Sequence, residues 1–213
     1  MISGSTGIDH LNGGAGNDMA GFLGATRGVT VSLAISGAQT ISGQGTDTFV
    51  SIEGLLGSNY NDTLTGNSGN NVLEGAGGND TLNGGDGSDT AAYTRATSGV
   101  TVNLAISGAQ AVGGGMGSDT FTSIENLSGS GFNDALTGDD NANIFNGGQG
   151  DDTLDGGGGY DTVTYKTADY SVFVDLSVSG QQIISYSQGN DTLISIENVI
   201  GSDFNDHLAG NAG

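Results

Sequence analysis

Gly57, Gly129 and Gly201 open closely similar phrases, "GSNYND", "GSGFND" and "GSDFND", at intervals of 72 residues. Inside that interval the chain repeats on a shorter period of nine. Four units run in register over 57–92, "GSNYNDTLT", "GNSGNNVLE", "GAGGNDTLN" and "GGDGSDTAA". Four more fill 129–164, two stand at 4–21, and "GSDFNDHLA" (201–209) opens a further group. A period this short makes each unit one structural step, so the chain is expected to build an array in which like stacks on like.

The nonapeptide itself says what the step is. Its first four positions are rich in glycine, which permits the positive φ of a tight, concave loop with inward carbonyl oxygens. The sixth position is Asp or Asn, and the eighth is apolar: Leu64, Leu73, Leu82, Ala91, Leu136, Phe145, Leu154 and Val163. Six residues of loop and three of strand follow, the middle strand residue pointing into a core. Helical periodicity is absent, and glycine at this density opposes a helix. The chain reads as all-β, with two nonapeptides per coil of about 18 residues. Loops n and n+2 then lie about 4.8 Å apart. Facing carboxylates at that distance repel by up to about 4 kcal/mol per pair at an effective dielectric of about 20, and a hard dication between them reverses the sign. Oxygen-only ligands on flexible loops suit Ca²⁺ better than Mg²⁺. Two core side chains per coil do not offset the entropy of ordering a glycine-rich coil, so the chain is expected to be expanded without calcium and to fold on binding it.

Composition agrees. There are 24 acidic and 3 basic residues, a net charge of −21, with 42 glycines and no proline, tryptophan or cysteine. Such a polymer repels nucleic acid and anionic membranes, which are bound through Lys and Arg. Its partners are cations. Without cysteine there are no disulfides or thiolate metal sites. No apolar run is long enough for a spanning helix, and "MISGSTGIDH" has neither the basic nor the apolar region of a cleavable signal peptide. High glycine with high charge also describes a disordered acidic linker; the strict period is what separates the two.

The blocks are joined by spacers that repeat as well. "GVTVSLAISGAQ" (28–39) returns as "GVTVNLAISGAQ" (99–110) and more loosely as "SVFVDLSVSGQQ" (171–182), with strand-like alternation at Val100, Val102 and Leu104. Each spacer closes on a shared phrase, "TDTFVSIEGLLGS", "SDTFTSIENLSGS" or "NDTLISIENVIGS". The expected organisation is one continuous array: a partial block at 4–21, spacers at 22–56, 93–128 and 165–200, full blocks at 57–92 and 129–164, and a truncated block at 201–213. It has the look of a piece of a longer array.

These residues resemble the RTX, or haemolysin-type, calcium-binding repeats, and with the spacers the resemblance covers nearly the whole chain. It implies a right-handed parallel β-roll, a β-solenoid. It also implies the ligands: carbonyls of positions 2 and 4 and the Asp of one loop, with carbonyls of positions 1 and 3 and the Asp of the loop one coil later. One site would take Ser58, Tyr60 and Asp62 with Gly75, Gly77 and Asp80. Its counterpart would take Ser130, Phe132 and Asp134 with Gly147, Gln149 and Asp152. On the opposite face Asn67, Gly69 and Asn71 would meet Gly84, Asp86 and Asp89, and Asp139, Asn141 and Asn143 would meet Gly156, Gly158 and Asp161. Asn at position 6 removes a charge there, so weaker or water-completed sites are expected. Asp47, Asp119 and Asp191 precede Asp62, Asp134 and Asp206 by fifteen residues each; stacking on a shortened coil would give three further sites. Glu53, Glu125 and Glu197, in the "S-I-E" phrase, resemble a calcium-ligating glutamate of serralysin-type proteases, whose roll-flanking segment the spacers are similar to. Asp18, like Asp9, is a ligand whose preceding partner is missing. No H-E-x-x-H motif occurs, so the protease itself is absent.

Other chemistries fit poorly. His10 and His207 take position 7 of their units, where Thr is usual, and no second zinc ligand set accompanies them. The glycine runs precede no helix and end in a carboxylate, unlike phosphate loops, and EF-hand spacing never occurs. The threonines at position 7 would form an ice-binding type of ladder but for Val72, Ala135 and Ile144. The leading expectation is a non-enzymatic calcium-binding segment of a large secreted bacterial protein, exported unfolded by type I secretion and folded by extracellular calcium as a structural, adhesin or secretion-assisting module next to neighbouring repeats. The alternative is an accessory module of an extracellular enzyme, such as a polysaccharide epimerase or lyase, a lipase or a protease. A third class is direct binding of a surface polysaccharide, or of ice, on outward strand faces.

Overall fold

A computed structural model describes residues 1–211. Regular structure among the described residues is entirely β, mostly strands of three residues. The repeat explains this: each loop returns the chain after three extended residues, and the middle one faces inward. Leu64, Leu73, Leu82, Ala91, Leu136, Phe145, Leu154 and Val163 are all at most 1 % exposed.

The chain forms two compact units, Met1–Tyr93 with Ser107–Ile124, and Thr94–Ile106 with the chain from Glu125 onward. In the first, Met19–Gly21, Gly54–Leu56, Val72–Glu74 and Thr90–Ala92 run parallel in that order. A second sheet orders Thr30–Ser32, Thr63–Thr65, Thr81–Asn83 and Ser118–Thr122, and His10–Asn12 pairs separately with Gly45–Val50. Thr63 aligns with Thr81 and Val72 with Thr90, so a coil is two nonapeptides. The second unit repeats the plan. Asn126–Ser128, Ile144–Asn146, Thr162–Thr164 and Asn198–Ile200 form one parallel run. Thr101–Asn103, Ala135–Thr137, Thr153–Asp155 and Gly189–Ile194 form the other, and Phe173–Asp175 pairs with His207–Ala209. Each unit is a parallel β-roll.

The spacers break the rhythm in two ways. Each contains an antiparallel hairpin: Gln39–Ile41 with Gly45–Val50, Gln110–Ala111 with Ser118–Thr122, and Gln181–Ser185 with Gly189–Ile194. The strand read at Val100 to Leu104 is only Thr101–Asn103; Val100 and Val102 are buried, and Leu104 begins a turn. Each "S-I-E" phrase then replaces a six-residue loop with a short corner. Its Ser is left-handed (φ 50°, 49° and 50° at Ser51, Ser123 and Ser195), and its Ile is buried.

Alternation of sheets also divides the position-7 threonines between two rows. Thr30, Thr63, Thr81 and Thr120 are direct neighbours across the first unit. Val72 and Ile144 lie in the other sheet of their units, where they stand beside Thr90 and Thr162 and break that row; Ala135 stands between Thr101 and Thr153.

Candidate metal centre

The acidic residues of one face stack into a column. In the first unit Val29 N–H donates to Asp62 Oδ1 (2.7 Å), Asp62 N–H to Asp80 Oδ1 (2.8 Å), and Asp80 N–H to Asp119 Oδ1 (3.0 Å). Asp80 and Asp119 thus cap the backbone of the acidic residue before them in the column, and Asp62 caps that of Val29. The second oxygens differ. Asp62 Oδ2 accepts the Ser58 N–H (2.5 Å), and Ser58 Oγ donates to Asp62 Oδ1 (2.8 Å). Asp119 Oδ2 accepts the Tyr93 hydroxyl (3.0 Å). Asp80 Oδ2, buried between them, has no hydrogen-bond donor.

The second unit builds the same column from its own residues. Val100 N–H caps Asp134, Asp134 N–H reaches Asp152, and Asp152 N–H reaches Asp191 (2.7, 2.9 and 3.1 Å). Ser130 closes Asp134, and the Tyr165 hydroxyl closes Asp191 (2.7 Å). Asp152 Oδ2 is again buried without a donor.

Glycine is required at the first position because this is where oxygens crowd. A Cβ on Gly57 would strike Asp62 Oδ2 and the Gly75 carbonyl; one on Gly129 would strike Asp134 Oδ2 and the Gly147 carbonyl. From the other side, side chains at Gly148 and Gly150 would collide with the carbonyls of Ser130 and Phe132, and one at Gly78 with that of Tyr60. Carbonyls of one loop therefore project toward the next coil, and the position-1 carbonyl of the next loop projects back.

Asp47, Asp119 and Asp191 are buried, but their expected stacking on Asp62, Asp134 and Asp206 is not formed. They follow Asp9, Asp80 and Asp152 instead, 38 or 39 residues later in sequence. The hairpin inside each spacer accounts for the extra length. The place below Asp62, Asp134 and Asp206 is taken by the N–H of Val29, Val100 and Val172. Asp9 likewise gains Asp47 as the next rung, and Asp18 gains Glu53.

The opposite face uses other residues in the same slots. Asp18 N–H donates to Glu53 Oε2 (3.0 Å), and Asp161 N–H to Glu197 Oε2 (2.8 Å). The extra methylene of Glu spans the distance the short corner leaves. Asn71 N–H reaches Asp89 and Asn143 N–H reaches Asp161 (2.7 and 2.8 Å). The two asparagine amides donate back to the carbonyls of Glu53 (3.1 Å) and Glu125 (2.7 Å). Carbonyls of Asn67, Gly69, Asp139 and Asn141 abut Gly85, Gly87, Gly157 and Gly159 one coil later, and those of Gly84 and Gly156 turn back on Gly66 and Gly138. Asp161 Oδ2 is buried and lacks a donor. The side chain of Asp86 is exposed, as are Gln149, Tyr60 and Phe132, so any part these four play in a site is through their main chain.

Burial dominates the electrostatics. It pushes Asp80 up to about 8, against the pull of the Asp62 N–H and with help from the Asp119 and Asp62 charges. Asp152 rises to about 8 for the same reasons, with Asp191, Asp134 and Asp151 nearby. Asp119 and Asp191 reach about 6, burial being partly countered by the Tyr93 and Tyr165 hydroxyls and a backbone donor. Asp62 and Asp134 are raised by burial despite their serine and backbone donors. A stack of buried, mutually repelling carboxylates with one bare oxygen per column fits a cation. Among the described residues no three His, Asp or Glu side chains converge on a point. Backbone carbonyls must therefore supply most ligands, a hard-oxygen set of the kind calcium takes. His10 instead meets Thr48 Oγ1 (2.9 Å), and His207 stacks on Phe173.

Tyr93 and Tyr165 were not singled out in the sequence reading. The signal is their shared place just after a block, 26 residues before Asp119 and Asp191, where the first spacer has Phe22.

No curated protein matches the chain. The family model for RTX calcium-binding nonapeptide repeats matches residues 1–19, 56–91, 128–163 and 196–213, about half of the chain. Those stretches carry Asp62, Asp80, Asp134, Asp152 and Asp161 of the columns just described, while Asp47, Asp119 and Asp191 lie in the spacers between them, and the chain belongs to that family.

Proposed function

We propose that this chain is a calcium-dependent folding module in which each pair of loops stacked one coil apart holds an ion. On the aspartate face the ligands are Ser58, Tyr60 and Asp62 with Gly75, Gly77 and Asp80, and Ser130, Phe132 and Asp134 with Gly147, Gln149 and Asp152. The next gaps along the same columns, Asp80 with Asp119 and Asp152 with Asp191, are of the same kind, as is Asp9 with Asp47. On the other face Asn71 with Asp89 and Asn143 with Asp161 are gaps with one carboxylate, Asp18 with Glu53 and Asp161 with Glu197 are gaps with two, and Glu125 is the ligand of the remaining corner. The observation that carries the reading is the bare, buried second oxygen of Asp80 and of Asp152. Bound calcium would supply two positive charges to a column that otherwise confronts three buried carboxylates with one another.

RTX repeats are a structural, calcium-binding module. They typically occur in secreted proteins, and no helix among the described residues is long and apolar enough to cross a membrane. The setting we infer is a secreted protein kept expanded by its −21 charge where calcium is scarce and folded where it is plentiful. Far-UV circular dichroism of the chelator-treated protein during a calcium titration, with magnesium as control, tests this. A cooperative gain of β-structure at roughly 0.1–1 mM Ca²⁺ is expected. A chain already fully folded in chelator, or one that magnesium folds equally well, overturns it.

A further inference from the structure

The columns end differently from how they run. In both units the last carboxylate of the column, Asp119 or Asp191 on the second strand of the hairpin, accepts a buried phenol on its outer oxygen. Tyr93 and Tyr165 are each 1 % exposed, so these hydroxyls are removed from water and committed to that one acceptor. The inner oxygen of the same carboxylate caps the N–H of Asp80 or Asp152. Two donors at fixed places leave the carboxylate no freedom to rotate. Asp80 and Asp152, whose bare oxygens mark the open gap, sit directly beneath it.

The first spacer supplies a natural counter-case. Phe22 occupies the backbone position of Tyr165: its N–H bonds the Leu56 carbonyl as that of Tyr165 bonds Ile200, and Ala25 and Ala168 close the same turn behind them. The Phe22 ring is buried and meets Phe49 edge-on. It has no hydroxyl to offer Asp47, which does cap Asp9 N–H.

We propose that Tyr93 and Tyr165 are positioning residues for calcium: each phenol locks the terminal aspartate of its column in the orientation that completes the gap above Asp80 or Asp152. The first column, closed by Phe22, lacks this device and binds its ion in the Asp9/Asp47 gap more weakly. The proposal rests on the calcium reading above. Outer partners that orient a ligand typically change metal affinity by about 10- to 100-fold when removed.

The test is calcium affinity by competition with a chromophoric chelator, alongside thermal unfolding with and without calcium, for Tyr93→Phe, Tyr165→Phe and Phe22→Tyr. Each Tyr→Phe change is expected to weaken one class of sites about 10-fold or more, and Phe22→Tyr to tighten one. The melting temperature should fall more with calcium than without it. Unchanged affinities, with equal loss of thermal stability in both conditions, would mean the phenols only fill space and would overturn the proposal. Should the Tyr→Phe proteins fail to fold, Phe22→Tyr decides alone, because it adds a hydroxyl to an existing ring. A parent chain that takes up no calcium overturns the calcium reading itself, a result separate from an unmoved affinity in a calcium-binding variant.

Discussion

Asp80 and Asn71 stand at the same position of successive repeats, on opposite faces of one unit, and solve the same gap in opposite ways. Asn71 takes the Asn67 N–H on its oxygen and gives its amide to the Glu53 carbonyl one coil back. Asn143 does the same with Asp139 and Glu125. Asp80 turns Oδ1 to the Asp62 N–H one coil back, and its Oδ2, which takes the place of the Asn71 oxygen beside the first glycine of the loop, has no donor. The asparagine gap closes on an amide-to-carbonyl bond, whereas the aspartate gap keeps a bare, charged oxygen. The calcium requirement should therefore reside where carboxylates face one another, in the aspartate columns and at Asp161 with Glu197, while the Asn71 and Asn143 amides are neutral supports.

The largest test of that contrast is pH in the presence of chelator. Asp80 and Asp152 sit at about 8 and Asp119 and Asp191 at about 6 in the fold, against about 4 for a carboxylate in an unfolded chain. Between those values the calcium-free fold holds more protons than the unfolded chain. Its stability is fully present below pH 4 and falls as pH rises toward 8, by several kcal/mol in total. Residual β-structure in chelator should thus grow on acidification from pH 8 to pH 5; a flat profile would break the comparison.

Next in size is Asp80→Asn with Asp152→Asn, which makes both aspartate columns resemble the asparagine ones. The calcium-free fold should gain about 1–3 kcal/mol per site as a buried, repelled carboxylate becomes a neutral amide. Its pH dependence should shrink, and fewer calcium ions should bind per chain by equilibrium dialysis. Undiminished calcium uptake would show that these two carboxylates are not the centre of the sites. The smallest effect is expected from Asn71→Asp. It should cost the calcium-free fold about 1–3 kcal/mol by exchanging a satisfied amide for a buried acceptor. Saturating calcium should restore most of that loss in a urea titration.

Much of this was legible because a nonapeptide writes its own structure. Position 8 names the core, positions 1 to 4 name the loop, and an interval of 18 predicts that Asp62 meets Asp80. What misled the reading was the spacer. Fifteen residues separate Asp119 from Asp134, close enough to one coil to suggest a stack, yet the hairpin Gln110–Ala111 with Ser118–Thr122 returns Asp119 to Asp80. Linear spacing does not show whether intervening residues advance the coil or fold back on themselves. Nor does it show that the position-7 threonines divide between two sheets, Thr63 beside Thr81 in one and Thr90 beside Val72 in the other.

The sequence by itself determined the all-β roll, the two-repeat coil, the calcium-binding family and the carboxylates that face one another within a block. These follow from local chemistry repeated at a fixed interval. Only the tertiary structure decided where each column ends and what closes it. Ser58 begins one column and Tyr93 ends it, with the open oxygen of Asp80 between them. Whether a buried oxygen has a donor depends on groups brought from 26 or 39 residues away, and no local pattern encodes that distance once the chain leaves its period.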